Sequence, residues 1–324
     1  MKSNFSPLQK PFVRRVTTFF STPTLISKVF VRIVTYLILL DLTYVFLYPF
    51  LYMIVTSLKT NADLFDATVN WIPHSIKWAN YSMAFKAIRF PENIKNSLLF
   101  TIFGTLGHLV SCSMIGYALA RYKFKGRNFW FALVMLSIVL PAQAILVPMY
   151  LTYSNLGWIN TYLPVIVPTF FGFGLRGGLF IFIFRQFFAN LPKELEDAAR
   201  IDGCGFMKTF LRIVIPCSKA ALLVVSVLSM VWHWNDYLEP EFYAARPEMR
   251  TLTNALQDMV PFLKSPSMLQ QLIADMGLTD MEAVINNAVF MAGTFLTILP
   301  LLIVFIFLQK HFMQGIERTG LTGE

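Results

Sequence analysis

The sequence predicts an all-α integral membrane protein with six transmembrane helices, on two observations. Of its 324 residues, 56% are hydrophobic and only 14% are charged, whereas a soluble domain carries about 25% charged residues. The apolar residues also cluster into runs long enough to cross a bilayer, which takes about 20 residues each. In chain order, the predicted spans are 33–57, 94–119, 129–151, 160–188, 214–234 and 284–309.

The distribution of Lys and Arg predicts the orientation, because these residues accumulate on the cytoplasmic side of membrane proteins. Seventeen of them fall in segments on one side and seven in segments on the other. The basic side comprises 1–32, 120–128, 185–213 and 310–324, and the other side comprises 58–92, 152–159 and 235–283. We therefore expect both termini to be cytoplasmic.

Three segments lie outside the spanning region 33–309 or form long connections within it. Residues 1–32 carry six basic residues and no acid, which fits an interfacial helix over 12–31 or a flexible tail. The outer loop 235–283 is acidic, and we expect short helices there. The glycines of the cytoplasmic tail 310–324 favour an extended segment, and a disordered end would also fit this tail.

Composition also limits the classes of site. The three cysteines have neither disulfide nor metal-ligand spacing, so we expect no metal site. The net charge of +9 does not indicate a nucleic-acid partner, because a membrane protein carries such an excess on its cytoplasmic loops.

A polar island, "NLPKELEDAARIDG" at 190–203, interrupts the apolar sequence. Pro192 suits the first turn of a helix, the acids that follow suit its N-terminal end, and Asp202-Gly203 is typical of its C-terminal end. A second helix is predicted from Gly205 to Ile213. An ordinary solvated connector would also fit this composition.

The order of residues in the island resembles a known motif. "DAARIDGCGFMKTFLRIVIP" resembles the EAA motif of bacterial ABC-importer permeases, with matches at Asp197, Ala198, Ala199, Asp202, Gly203 and Pro216. "WANYSMAF" (78–85), "NSLLFTIFGT" (96–105) and "GYALARYKFKGR" (116–127) resemble landmarks of the maltose-type carbohydrate permeases. The chain is thus identified as a smaller, six-span permease with the type I ABC-importer permease fold. The resemblance also implies that the protein lies in the inner membrane of a bacterium.

The resemblance implies function and partners. It implies a heterodimer with a second permease, two ATPase subunits that bind ATP and Mg, an extracytoplasmic substrate-binding protein, an oligosaccharide substrate and surrounding lipid. This chain would hold no catalytic residue and no cofactor. Residues 190–213 would form a coupling helix seated on the ATPase. Its interface residues would be Glu194, Glu196, Asp197, Ala198, Arg200, Asp202, Gly203 and Phe206.

Asp197 departs from the family pattern, which has Glu at this position. The resemblance implies that Asp197 pairs with an Arg of the ATPase, although its side chain is one methylene shorter than that of Glu. Alternatively, Asp197 caps its own helix and Glu196 makes the contact with the ATPase.

No phosphate-binding GxxxxGK[ST] segment is present in the sequence. "GFGLRG" (172–177) satisfies GxGxxG literally, but it lies in an apolar span without the strand–turn–helix context of a dinucleotide site. Its glycines therefore predict close helix packing or a helix break.

Two charged residues lie well inside predicted spans, away from the span ends: Asp41 and Arg176. Each would cost at least about 2.5–3.5 kcal/mol facing lipid at mid-bilayer. They therefore either pair structurally, with each other or with the partner permease, or Arg176 lines the cavity and attracts an anionic group. The second alternative suits an acidic oligosaccharide such as a uronate, and with it the lipo-oligosaccharide and alginate-type members of the family.

Four further residues are candidates for the substrate path. Trp232 and Trp234 are either interfacial aromatic residues or sugar-stacking platforms, and Asn286 and Asn287 either bond substrate hydroxyls or join helices. His108 and His233 are interpreted as isolated packing residues.

Two other classes of function remain as alternatives. An ATP-independent secondary transporter would show inverted repeats and broken helices, and a membrane enzyme would place a nucleophile and a base at one depth. Neither a repeat nor such a pair is evident in the sequence.

Overall fold

The computed structural model describes residues 25–174, 176–264 and 286–320. Within these ranges the chain forms helices and connecting segments, with no strand. Most of the N-terminal segment 1–32 and part of the outer loop 235–283 lie outside the described residues.

The helices follow one another along the chain in this order. They are α1 (Leu25–Ser57), α2 (Asn61–Phe65), α3 (Ala79–Ala87), α4 (Phe90–Arg121), α5 (Arg127–Val139), α6 (Ala142–Asn155), α7 (Leu163–Ile166), α8 (Gly177–Ala189), α9 (Glu194–Ile201), α10 (Phe206–Thr209), α11 (Ile215–Cys217), α12 (Lys219–Asn235), α13 (Leu238–Tyr243), α14 (Leu252–Asp258), α15 (Val260–Lys264) and α16 (Asn287–Gly320). Short 3₁₀ turns cover Val167–Phe171 and Pro247–Met249, and a π-helical turn covers Phe210–Val214.

The chain divides into two compact units, Met1–Val55 and Thr56–Glu324. The first unit is described from Leu25 and consists of most of α1, whose large apolar side chains are exposed. The hydroxyls of Thr35 and Thr43 donate to the carbonyls one turn earlier, at 2.8 and 2.6 Å. These bonds pair two polar groups that would otherwise face hydrocarbon.

The number of helices that could cross a membrane depends on how bent helices are counted. Of the described residues, Val29–Ser57, Phe90–Arg121 and Asn287–Gln309 are each long and apolar enough, and two bent pairs bring the total to as many as five. The predicted spans 129–151, 160–188 and 214–234 differ from the structure, because none of them is one straight helix.

The predicted span 129–151 is split into α5 and α6. Leu140 is extended, with ψ 126°, and Pro141 precedes the first residue of α6. The cause is local, since a residue before proline is biased away from helical geometry. The predicted span 214–234 bends by 80° at the join between the segment Phe206–Cys217 and α12, close to Pro216.

The predicted span 160–188 consists of α7, a 3₁₀ turn, an irregular break and α8. Gly172, Gly174 and Arg176 have left-handed backbones, with φ of 72°, 98° and 63°. Two of the three are glycines, which adopt this conformation without steric cost. The glycine-rich stretch therefore breaks the helix, and α8 is only 13 residues long.

α4 is the central helix of the second unit, and it packs against α8 and α12. The approach to α8 is close, because a Cβ atom at Gly116 would lie 2.7 Å from Cβ of Phe184. The main core combines α4, α8, the π turn and α12, and it contains Cys112, Tyr117, Leu119, Phe180, Ile181, Phe184, Phe188, Phe210, Val214, Ala221 and Val225.

The opposite end of α4 is tied to the segment that follows α12. The amide of Asn96 donates to the carbonyls of Glu248 and Arg250 at 2.8 and 2.9 Å, and Ser97 Oγ accepts from the Leu252 N–H at 2.9 Å. The start of the predicted span 94–119 thus lies against part of the predicted outer loop 235–283.

The segment between α1 and α3, which the sequence predicts to lie on the outer side, is ordered by local bonds. A capping box joins Thr60 and Asp63 at the start of α2, and Asp63 also contacts His74 at 2.7 Å. The hydrogen bond from His74 lowers the pKa of Asp63 to about 2.

The C-terminal tail differs from its prediction. α16 continues to Gly320, so residues 310–320 extend the last helix and do not form an extended segment. A single glycine costs a helix only about 1 kcal/mol, which the neighbouring helix formers offset.

Candidate functional site

The polar island folds as a compact helical knuckle, residues 190–214. Its first helix, α9, begins at Glu194, two residues later than Pro192 would place it. Its end matches the prediction from Asp202-Gly203. Gly203 has φ 74°, its N–H donates to the Arg200 carbonyl, and the Cys204 N–H donates to the Ala199 carbonyl. This pair of bonds is the Schellman motif, which satisfies the last carbonyls of a helix.

An ion pair fixes the knuckle to α4. Nε of Arg121 lies 2.9 Å from Oε1 of Glu196, and the two side chains are only 6% and 8% exposed. The guanidinium of Arg121 also donates to the Leu191 carbonyl. Arg121 thus ties together the end of α4, the start of the knuckle and α9.

This pairing corrects one prediction. Glu196 was a candidate for contact with the ATPase, but its side chain is buried against Arg121 within the same chain. Since an ion pair removed from water requires both partners, Glu196 is a support of the knuckle and lies away from its exposed face.

The other predicted interface residues lie on the exposed part of the knuckle. Asp197 does not cap α9, because the N-cap residue is Lys193 and no side chain caps that end of the helix. Asp197 faces Arg200 at 3.5 Å, and both side chains are more than half exposed. The exposed set is Glu194, Asp197, Ala198, Arg200, Asp202, Gly203 and Phe206. Their role in binding an ATPase stays a prediction.

Phe206 is exposed at one edge and anchored at the other. Its ring lies 5.5 Å from that of Tyr117 and 5.1 Å from that of Tyr122. Aromatic pairs of this geometry contribute about 0.5–1.5 kcal/mol beyond their buried area. The second helix of the knuckle is therefore held on α4 by stacked rings, and the π turn follows it in place of the predicted helical residues 210–213.

Sequence reasoning missed one residue of this face. Ile201, the last residue of α9, is 87% exposed, and Leu195 and Met207 nearby are also exposed. Large apolar side chains grouped on a polar surface are typical of protein interaction sites. The signal was available in the sequence, since Ile201 stands alone among polar residues, but its exposure depends on Gly203 ending the helix there.

The break before α8 is the second candidate site. Arg176 is exposed, and its guanidinium carbon lies 5.5 Å from the centre of the Trp232 ring. Trp232 in turn contacts Phe180 at 5.5 Å. The left-handed backbone of Arg176 is uncommon for a residue with a side chain, and the indole face holds its charged group at a defined place.

Of the other residues predicted to line the substrate path, Trp234 and Asn286 have structural roles. Trp234 is buried, and its indole N–H donates to the Thr297 carbonyl at 3.0 Å, so it packs α12 on α16 and does not line a path. Asn286 caps α16 by accepting from the Val289 N–H at 3.0 Å, and its amide donates to Asn61. Asn287 is exposed.

His108 and His233 are not isolated, which corrects their interpretation. Both are buried, their rings stack at 5.2 Å, and Nε2 of His233 lies 3.3 Å from Nδ1 of His108. Ser229 lies 3.2 Å from the same nitrogen of His108. The pair joins α4 to α12. Among the described residues, no group of three or more His, Cys, Asp or Glu could hold a metal ion.

Comparison with known proteins decides the family. Residues 113–318, which include the knuckle and the break, match the family described as the binding-protein-dependent transport system inner membrane component. The chain belongs to this family. The predictions of an ABC-importer permease and of an all-α membrane fold are confirmed, and the permease is an integral protein of the inner membrane. Nothing in the comparisons favours a secondary transporter.

Curated relatives cover nearly the whole permease. It is 32% identical over 296 residues to the arabinooligosaccharides transport system permease protein AraQ of Bacillus subtilis (strain 168), covering 90% of this chain and 96% of that protein. It is 28% identical over 276 residues to the sn-glycerol-3-phosphate transport system permease protein UgpE of Yersinia pestis bv. Antiqua (strain Antiqua), covering 83% and 90%.

A solved structure shares the fold. The permease superposes with a TM-score of 0.72 and 22% identity on a chain from the crystal structure of a bacterial ABC transporter involved in the import of the acidic polysaccharide alginate. The match covers 90% of this chain and 99% of that chain.

Proposed function

We propose that this permease is one half of the translocation path of an ATP-driven oligosaccharide importer. A second permease forms the other half, and two ATPase subunits drive the cycle. An external binding protein delivers the sugar. The observation that carries the proposal is the anchored knuckle: it is fixed to α4 by Arg121 and Glu196 and presents the apolar side chain of Ile201 to a partner.

The knuckle is the coupling element in this proposal. A helix end held by a buried ion pair and stacked rings moves as one body with α4, so a push on Ile201 and Asp197 reaches the spans. ATP binding need only favour one of two packings of the spans by a few kcal/mol. ATP and Mg²⁺ belong to the partner ATPases, and this chain contributes no nucleotide chemistry.

The orientation follows from the same proposal. The side that carries Arg121 and the knuckle is cytoplasmic, since the ATPases work there, and it is also the side rich in Lys and Arg. Both termini are then cytoplasmic, and the acidic outer loop 235–283 faces the binding protein.

The substrate we propose is an acidic oligosaccharide of the uronate type. Arg176 is an exposed cation at the break of a membrane-embedded helix, where it attracts a carboxylate, and Trp232 beside it offers a flat face to a sugar ring. The names of the relatives support a sugar or an anion: an arabinooligosaccharide, a glycerol phosphate and alginate.

The test is ATP hydrolysis by the complete complex reconstituted with its binding protein. We expect uronate oligomers to stimulate hydrolysis and neutral oligomers of equal length to have little effect. Stimulation by neutral sugars alone would refute the acidic substrate, and a complex that transports without an ATPase would refute the importer itself.

A further inference from the structure

A small cavity opens where α4 ends and α5 begins, outside the knuckle and outside the break. Its volume is about 320 Å³. It is lined by Lys123, Phe124, Gly126, Arg127, Asn128 and Phe129. The proposed import cycle uses none of these residues.

The cavity carries positive charge that the chain does not neutralise. The sequence contains no Asp or Glu between Glu92 and Glu194, and no described acid forms an ion pair with Lys123, Lys125 or Arg127. Glu196, the buried acid of the knuckle, is already paired with Arg121. An anion from outside the chain is the natural partner for these cations.

The surroundings of the cavity are aromatic and exposed. Phe124, Phe129 and Trp130 are 43%, 62% and 55% exposed, and the apolar helix α5 starts at Arg127. Aromatic side chains at the start of a membrane helix lie at the level of the lipid headgroups. The cavity therefore combines cations and an Asn amide with apolar walls, at the place where a helix enters the bilayer.

We propose that this cavity binds the phosphate of an anionic phospholipid headgroup from the inner leaflet. Lys123 and Arg127 pair with the phosphate, the Asn128 amide donates to a headgroup oxygen, and Phe124 and Phe129 contact the upper part of the acyl chains. The N-terminal end of α5 adds its own preference for anions. The exposed aromatic walls favour a lipid over a soluble anion or an acidic surface of the ATPase, because acyl chains gain more from contact with aromatic side chains.

Native mass spectrometry of the full-length protein, purified in neutral detergent and titrated with phosphatidylglycerol, tests the site. Lys123→Gln and Arg127→Gln should each weaken lipid retention about fivefold, the equivalent of about 1 kcal/mol per basic residue near an anionic surface. Lys125→Gln is the matched control, because Lys125 lies in the same loop with the same charge but does not line the cavity. It should change retention less than twofold.

Four outcomes would overturn the proposal. Equal losses from Lys125→Gln and Lys123→Gln would show a diffuse attraction of charge and no site. Displacement of the lipid by millimolar inorganic phosphate would show a soluble anion site. Loss of the lipid on addition of the ATPase subunits would show that a protein covers the cavity. Retention of phosphatidylcholine equal to that of phosphatidylglycerol would also contradict it.

Discussion

Arg121 and Glu196 form a buried ion pair that fixes the knuckle to the central helix α4, with Nε 2.9 Å from Oε1. Arg121 is the last residue of α4, and Glu196 lies in the first turn of α9. Because both side chains are nearly removed from water, each charge requires the other as its countercharge. In the proposed coupling, this pair is the contact that makes the knuckle move with α4.

Neutralising one member of this pair should weaken the attachment of the knuckle to α4. Glu196→Gln leaves the Arg121 guanidinium buried without a countercharge, and breaking a buried pair in this way costs about 3–5 kcal/mol. We expect a lower unfolding temperature of the purified protein and ATP hydrolysis that no longer depends on substrate.

The neighbouring acid supplies the control. Asp197→Asn changes an exposed carboxylate on the same helix, so it should leave the unfolding temperature within error and weaken only the binding of the ATPase. Equal thermal stability of Glu196→Gln and Asp197→Asn would contradict the role of the pair.

Gly203 should tolerate alanine poorly and proline not at all. Its φ of 74° costs a residue with a side chain about 1–2 kcal/mol, although no atom lies within 4 Å of a Cβ built there. Proline cannot adopt this angle and also removes the N–H that bonds the Arg200 carbonyl. Gly203→Pro should abolish uptake and leave membrane insertion intact, and Gly203→Ala should reduce uptake.

Gly205→Ala is the matched control for this position. Gly205 has an ordinary φ of −72° and equally open space around its Cβ position. Uptake should stay near that of the native protein. Normal uptake by Gly203→Pro would mean that the shape of the knuckle does not matter for transport.

Arg176 should set the preference for charged substrate. Arg176→Gln removes the cation and its contact with Trp232, so stimulation of ATP hydrolysis by uronate oligomers should fall at least tenfold, while Arg176→Lys retains part of it. Trp232→Phe keeps an aromatic face and serves as the comparison. If Arg176→Gln left the response to uronates unchanged, the role of Arg176 would be structural.

Asp236 should make the stability of the segment that follows α12 sensitive to pH. Burial raises its pKa from the ordinary 3.8 to about 6, and burial together with the charge of Asp236 raises the pKa of Glu239. The folded state therefore holds protons that the unfolded chain releases. The stability that the protonated Asp236 carboxyl group contributes is complete below pH 3.8 and is lost as pH rises through about 6.

Asp236→Asn removes the part of this dependence that comes from Asp236 and keeps the oxygen that accepts from the N–H groups of Leu238 and Glu239. We expect the variant to unfold at a higher temperature than the native protein at pH 7.5 and at nearly the same temperature at pH 3.5, by differential scanning fluorimetry. A difference that is constant with pH would contradict the burial of a charge at Asp236.

Local chemistry predicted the parts of this fold that depend on near neighbours. The Asp202-Gly203 end of α9 follows from the left-handed geometry that glycine favours, and the break at 172–177 follows from the glycines of that stretch. The splits of the predicted spans 129–151 and 214–234 were missed, although Pro141 and Pro216 mark them, because apolar composition alone was read as continuous helix.

Distant partners could not be predicted in the same way. Arg121 with Glu196 and His108 with His233 each join helices that are far apart in sequence, and their pairing depends on how α4 packs. The role of Trp234 could not be predicted either. A Trp at the end of a span suits packing against a neighbouring helix, as it does at Thr297, and it suits stacking on a sugar equally well.

The most direct test of the coupling proposal is the accessibility of Ile201 in the assembled complex. In a background with Cys204 and Cys217 replaced by Ser, Ile201→Cys is labelled with a maleimide before and after the ATPase subunits are added, with Ala67→Cys on the outer segment as control. The proposal predicts at least tenfold protection of Ile201→Cys by the ATPase and none of Ala67→Cys. Unchanged labelling of Ile201→Cys in a complex that hydrolyses ATP and transports would contradict it.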